Sequence, residues 1–121
     1  MKKMIFIIDD NDTNLTVAAS ALEDDYRVLT MPAASKMFSL LEKMRPDLIV
    51  IDVEMPEMNG FEAVALLKAN PRFIDIPVVF LTGWADESTR AKAMGLGAVD
   101  IVTKPFDMIA FISQVKEYIG E

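Results

Sequence analysis

Leu48-Ile49-Val50-Ile51-Asp52-Val53-Glu54-Met55-Pro56-Glu57-Met58-Asn59-Gly60 opens with four branched aliphatic residues in a row and then turns abruptly to a carboxylate. A short apolar run without alternation fits a strand covered on both faces, as in a parallel sheet. The Asn59-Gly60 turn, followed by Ala63, Val64 and Leu67 at helical spacing, reads as the entry to a helix. The same pattern recurs on either side. Asp9-Asp10 follow the apolar run 4–8, Thr82 follows 78–81, and Lys104-Pro105 come just after 99–102.

Working outward from these runs, strands are expected near 4–8, 26–30, 47–52, 77–82 and 98–103. Between them lie segments of 3.6-residue period: Leu15, Ala18, Ala19 and Leu22; Met37, Leu40, Leu41 and Met44; Ala63, Val64 and Leu67; and Met108, Phe111, Ile112, Val115 and Ile119. The helix near 86–95 is weaker, with Ala91 and Met94 as its main apolar contacts and Asp86, Glu87, Arg90 and Lys92 turned outward. Asp107 is placed to cap the last helix, and Gly95 and Gly97 to close the fourth. Five alternations of strand and helix give an α/β fold, a five-stranded parallel sheet flanked by five helices and doubly wound. The run 26–30 carries Arg27 and is the least hydrophobic, as an edge strand would be, and strand order 2-1-3-4-5 follows. A chain of 121 residues makes a single domain, 1–121.

Composition narrows the chemistry. There is no cysteine and no histidine, which removes thiolate nucleophiles, Cys- or His-ligated zinc and every His-based general base. A net charge of −7 argues against direct binding to nucleic acid or to an anionic membrane. Apolar runs of about five residues fall far short of the ~20 that a membrane span needs, so a soluble protein is expected. Met1-Lys2-Lys3 leads at once into the first apolar run, leaving no room for a signal peptide, and a cytoplasmic location is the expectation.

In a parallel sheet the residues that follow the strands gather along one edge, so Asp9, Asp10, Asp52, Thr82 and Lys104 should meet. Carboxylates about 5 Å apart repel by about 3 kcal/mol per pair at an effective dielectric near 20, so such a cluster implies a cation. Hard oxygen donors suit Mg²⁺, which keeps several waters and takes one or two protein carboxylates. Beside that ion the Asp52 carboxylate can attack a phosphoryl group, Lys104 can meet a phosphoryl oxygen, and the Thr82 hydroxyl can bond another. Each of these residues also has a plainer reading. The stretch Asp9–Asp12 can cap and favour the dipole of the first helix, a reading that suits Asp12 best, while a lone strand-end Asp, Thr or Lys is ordinary surface or filler.

Ile8-Asp9-Asp10, Asp52 through Gly60, Leu81-Thr82-Gly83 and Lys104-Pro105-Phe106 together resemble the receiver domain of two-component response regulators, over essentially the whole chain. The resemblance implies a flavodoxin-like fold with Asp52 as phosphoacceptor, Asp10 as a direct Mg²⁺ ligand, Asp9 acting mainly through water, and Glu54 offering its backbone carbonyl to the metal. Thr82 and Lys104 would engage the phosphoryl group, delivered by a histidine kinase or histidine phosphotransfer protein, and the signal would pass to an output domain or downstream protein. Such a chain is a signalling switch rather than a metabolic enzyme. A cis peptide between Lys104 and Pro105 is implied too. Three positions depart from patterns seen in the family. Ile101 stands where receivers often carry Tyr or Phe three residues before the lysine, and Ala110 and Gln114 stand where receivers that dimerise through their last helices tend to carry Glu and Arg.

Two competing classes fit the residues less well. A haloacid-dehalogenase-like phosphatase also uses an aspartyl phosphate, but it places its nucleophile after the first strand with a second Asp two residues on, where this chain has Asp52 after the third and Glu54. A flavodoxin-like cofactor binder needs backbone amides and hydroxyls to cradle phosphate, and the 9–12 loop is acidic.

Overall fold

Strand residues of this chain divide between two hydrophobic clusters by strict alternation. Phe6, Ile8, Ile49, Ile51, Val78, Phe80 and Ile101 face one side, and Ile5, Ile7, Leu48, Val50, Val79, Leu81 and Val102 face the other. Side chains alternate across a strand, so a sheet buried on both faces needs apolar residues at every position. The computed structural model describes residues 2–105 and 107–119. Its elements in order are β1 (Met4–Ile8), α1 (Asp12–Leu22), β2 (Arg27–Met31), α2 (Ala34–Leu41), β3 (Leu48–Asp52), α3 (Gly60–Lys68), β4 (Val78–Thr82), α4 (Glu87–Gly95), β5 (Asp100–Thr103) and α5 (Met108–Ile119).

The strands pair in parallel in the order β2-β1-β3-β4-β5, as expected from the sequence. Helices α1 and α5 cover one face through Leu15, Ala18, Leu22, Phe111, Val115 and Ile119. Helices α2, α3 and α4 cover the other, where Met37, Leu41, Ala63, Val64, Leu67 and Ala93 are buried. The chain reverses its winding between β1 and β3, which leaves a crevice beyond their carboxyl ends. No helix among the described residues is long and apolar enough to cross a membrane.

Three local expectations shift. Strand β2 runs one residue later than the apolar pattern suggests, because Tyr26 is buried in the turn after α1 and pairing starts at Arg27. Strand β5 begins at Asp100, since Gly97 (φ 92) and Ala98 still belong to the exit from α4. The buried residue of α4 is Ala93, whereas Ala91 is exposed and Met94 is 52% exposed. One small side chain lets α4 lie close to the sheet beside Ala98 and Ile101, and the larger Met94 turns to solvent.

Candidate functional site

Strand β1 delivers Asp9 to the crevice, and the loop that follows locks it there. Asp9 is fully buried; its Oδ1 accepts from the Asn11 backbone amide at 2.9 Å and its Oδ2 from Asn14 Nδ2 at 3.1 Å. Asn11, not Asp12, is the N-cap of α1, accepting from the Asn14 amide, while Asp12 opens the first turn and favours the helix dipole. Asp10, next in the chain, is exposed. Asp52 ends β3, one strand away, and is buried. One carboxylate oxygen from each of Asp9, Asp10 and Asp52 lies within 4.8 Å of the other two.

Among the described residues, the ammonium of Lys104 faces two of these carboxylates, Asp9 and Asp52. Lys104 Nζ donates to Asp52 Oδ1 at 3.0 Å and lies 3.5 Å from Asp9 Oδ2. Its backbone amide donates to the Thr82 carbonyl at 2.7 Å, which ties the lysine to the end of β4, and the Lys104-Pro105 peptide is cis, as the sequence led us to expect. Phe106, the third residue of that motif, lies outside the described residues. Burial pushes the Asp52 carboxyl up to about 7, with the Asp9 charge adding to it and the Lys104 hydrogen bond opposing. Burial alone would lower the Lys104 ammonium, but the hydrogen bond and charge of Asp52, with Asp9 and Glu54 behind them, raise it instead. Two buried carboxylates with one cation between them leave the pocket short of positive charge. Oxygen donors with an exposed carboxylate at the rim fit a hard divalent ion such as Mg²⁺.

The floor of the crevice depends on a glycine. A Cβ at Gly60 would come within 2.3 Å of the Asp52 carbonyl oxygen, so only glycine lets α3 start this close to the end of β3. The Gly60 amide donates to the Val53 carbonyl at 2.9 Å. Asn59 and Glu62 close a reciprocal capping box around this turn.

Thr82 closes β4 and is fully buried. Its hydroxyl donates to Glu54 Oε1 and accepts from the Trp84 backbone amide at 3.0 Å. Trp84 is 69% exposed, and its indole N–H donates to Asp86 Oδ2 at 2.9 Å. Asp86 is in turn the N-cap of α4, accepting from the Thr89 amide at 2.8 Å. Glu54 also donates its backbone N–H to Asp52 Oδ1 at 3.3 Å. The sequence pointed to the Glu54 backbone alone; the contact of its carboxylate with Thr82 depends on how the 53–59 loop folds over the β3–β4 edge, which no residue pattern reports. Asn14 was also missed, although its place one helical turn after Asp10 is a usable signal. Ile101 is buried on the α4 side of the sheet. Gln114 Nε2 lies 3.4 Å from Asp100 Oδ2, the oxygen that also accepts from the Tyr118 hydroxyl, so α5 is joined to β5 by its own polar contacts.

A doubly wound α/β domain thus carries an acidic pocket, a lysine and a threonine at the carboxyl edge of its sheet. The model of the response regulator receiver domain matches residues 5–116, and the chain belongs to that family, the switch modules of two-component signalling. It is 36% identical to a 14.6 kDa protein of Leptolyngbya boryana over 94% of this chain and 88% of the relative. It is 28% identical to the polar-differentiation response regulator DivK of Brucella anthropi, covering 100% of this chain and 99% of that one. Among solved structures, the signal receiver domain of a signal transduction histidine kinase from Syntrophus aciditrophicus superposes with a TM-score of 0.88 at 32% identity, over 98% of this chain and 90% of the other.

Proposed function

We propose that this chain, read as a single receiver domain over residues 1–121, is a cytoplasmic, phosphorylation-controlled switch in which Asp52 accepts a phosphoryl group from a histidine kinase or histidine phosphotransfer protein. The observation that carries the reading is the convergence of Asp9, Asp10 and Asp52 within 4.8 Å, with the Lys104 ammonium against Asp9 and Asp52. An Asp52 carboxylate oxygen attacks phosphorus, the phosphorus–nitrogen bond of the donor imidazole breaks, and the freed nitrogen keeps the electron pair and takes up a proton. Water later attacks the aspartyl phosphate, returning the carboxylate and inorganic phosphate. Asp9, Asp10, Asp52 and the Glu54 backbone carbonyl would hold Mg²⁺, which would supply charge neutralisation for the transferring group. Lys104 meets one phosphoryl oxygen and Thr82 another, and through Trp84 and Asp86 the change reaches α4.

The chain then acts as a signal carrier whose only chemistry is its own phosphorylation and dephosphorylation, with an output domain or downstream protein as the receiver of the signal. The negative net charge supports neither nucleic acid nor a membrane surface as a direct partner. Incubation with acetyl phosphate and Mg²⁺ should add the mass of one phosphoryl group, and Asp52→Asn should abolish the gain. Retained modification in that variant would show that the nucleophile lies elsewhere.

A further inference from the structure

The Thr82 hydroxyl has a single proton; Glu54 Oε1 takes it at the shorter contact, and the Trp84 carbonyl, at 3.3 Å, is the alternative acceptor. The oxygen's accepting side is engaged by the Trp84 amide at 3.0 Å. Thr82 is wholly shielded from solvent, so it has no water to turn to when it leaves one partner for another. A phosphoryl group on Asp52 would present anionic oxygens to the same hydroxyl and would bring roughly −1.5 to −2 charges up to the Glu54 carboxylate. The two acceptors compete for one proton, and like charge keeps them from sharing it. We propose that Glu54 is a positioning residue that holds Thr82 in the unmodified state, its carboxylate standing where a phosphoryl oxygen would be and leaving when Asp52 is modified.

Three further features fit this role. The Glu54 main chain is tethered to Asp52 Oδ1 at 3.3 Å, so the side chain that restrains Thr82 is carried by the residue whose backbone touches the acceptor carboxylate. Glu54 is exposed, so its released carboxylate moves into water rather than into the core. Thr82 also connects, through the Trp84 amide and the Trp84–Asp86 hydrogen bond, to the cap of α4. Release of Thr82 from Glu54 therefore pulls on the start of that helix. The inference rests on the reading of Asp52 as phosphoacceptor.

Beryllofluoride with Mg²⁺, an unreactive substitute for the phosphoryl group, and the NMR resonance of the Thr82 methyl test it. In Glu54→Ala the methyl resonance of the unliganded protein should move toward its beryllofluoride-bound position. Half-saturating beryllofluoride should fall by about three- to tenfold, the scale of the net contribution of one ordinary hydrogen bond. Glu54→Gln should lie between, because its amide oxygen still accepts the proton without the charge. Glu57→Gln removes the same charge from the same loop, and should leave both readouts within about twofold of the unsubstituted protein on that scale. If Glu54→Ala behaves as Glu57→Gln does, the restraint is overturned and Glu54 matters only as charge. Failure of the unsubstituted protein to respond to beryllofluoride would strike the phosphoacceptor reading; the Thr82 methyl of unliganded Glu54→Ala still decides the restraint, and an unmoved resonance refutes it.

Discussion

Helices α3 and α4 are both nine residues long and cover the same face of the sheet, yet they are anchored in opposite ways. Helix α3 buries Gly60, Ala63, Val64 and Leu67 and starts with a full capping box. Helix α4 buries Ala93 alone and depends on the Asp86 cap for its first turn. The difference divides the site into a fixed part and a yielding part. The acidic pocket is built where α3 abuts β3, on a base that cannot shift without breaking the core. The Thr82–Trp84 segment leads instead into the helix with the least apolar area to lose, and low-stability elements are the ones that move.

The largest effect that would break this contrast is a methyl group. Gly60→Ala drives a Cβ into the Asp52 carbonyl, and backbone on both sides leaves no cheap relief, so it should cost about 3 kcal/mol or more by denaturant unfolding. Gly95→Ala, at the end of α4, meets nothing within 4 Å and should stabilise by about 0.5 kcal/mol. Equal costs at the two positions would refute the division.

The next effect is that of the cation. Mg²⁺ at a hundred times its dissociation constant should raise unfolding free energy by about 2.7 kcal/mol, and Asp10→Ala should remove most of the rise. In metal-free protein the Asp52 carboxyl titrates near 7 instead of at its ordinary 3.8, so the folded state holds a proton that the unfolded chain has released. Stability from this group is therefore present below the ordinary value and drains away as pH rises toward 7. Mg²⁺ reverses the trend above pH 7 and should bind more weakly as pH falls below it, where the proton competes. Magnesium affinity that is level from pH 8 to pH 6 would contradict the burial of Asp52.

Trp84 should show the smallest thermodynamic effect and the clearest spectroscopic one. It is mostly exposed, so Trp84→Ala should change stability by no more than about 0.5 kcal/mol beyond the loss of its hydrogen bond to Asp86. As the chain's one tryptophan, bonded through its amide to Thr82, it should change fluorescence when beryllofluoride and Mg²⁺ are added. Silence of the indole, with an unaltered lifetime of the phosphorylated state in Trp84→Ala, would leave the yielding part of the site without its first mover.

Most of the fold was legible because β1, β3 and β4 are apolar along their length and each is closed by a polar residue, Asp9, Asp52 and Thr82. Asp9, Asp10, Asp52, Thr82 and Lys104 were placed together by topology alone, since parallel strands bring their ends to one edge. Helix α4 was read on the wrong face because a nine-residue segment with so few apolar residues has no clear period, and a buried alanine signals little. The start of β5 was read early for a related reason: Ala98 looks like strand, but its amide donates to the Ala93 carbonyl at the exit from α4. The Glu54–Thr82 contact was out of reach because loop residues carry no periodicity that states where they fold back.

Lys104 directly follows the last strand, and its position is set by the hydrogen bond from its own backbone to Thr82. During synthesis the carboxylates at 9, 10 and 52 emerge well before the ammonium that faces them. An emerging chain can assemble β1 to β4 with the acidic pocket still uncompensated, and only the arrival of β5 on the open edge of the sheet brings the balancing charge. The balancing charge is thus acquired late, with the final strand, and a chain interrupted before residue 104 would carry the pocket's acids without the ammonium that faces Asp9 and Asp52.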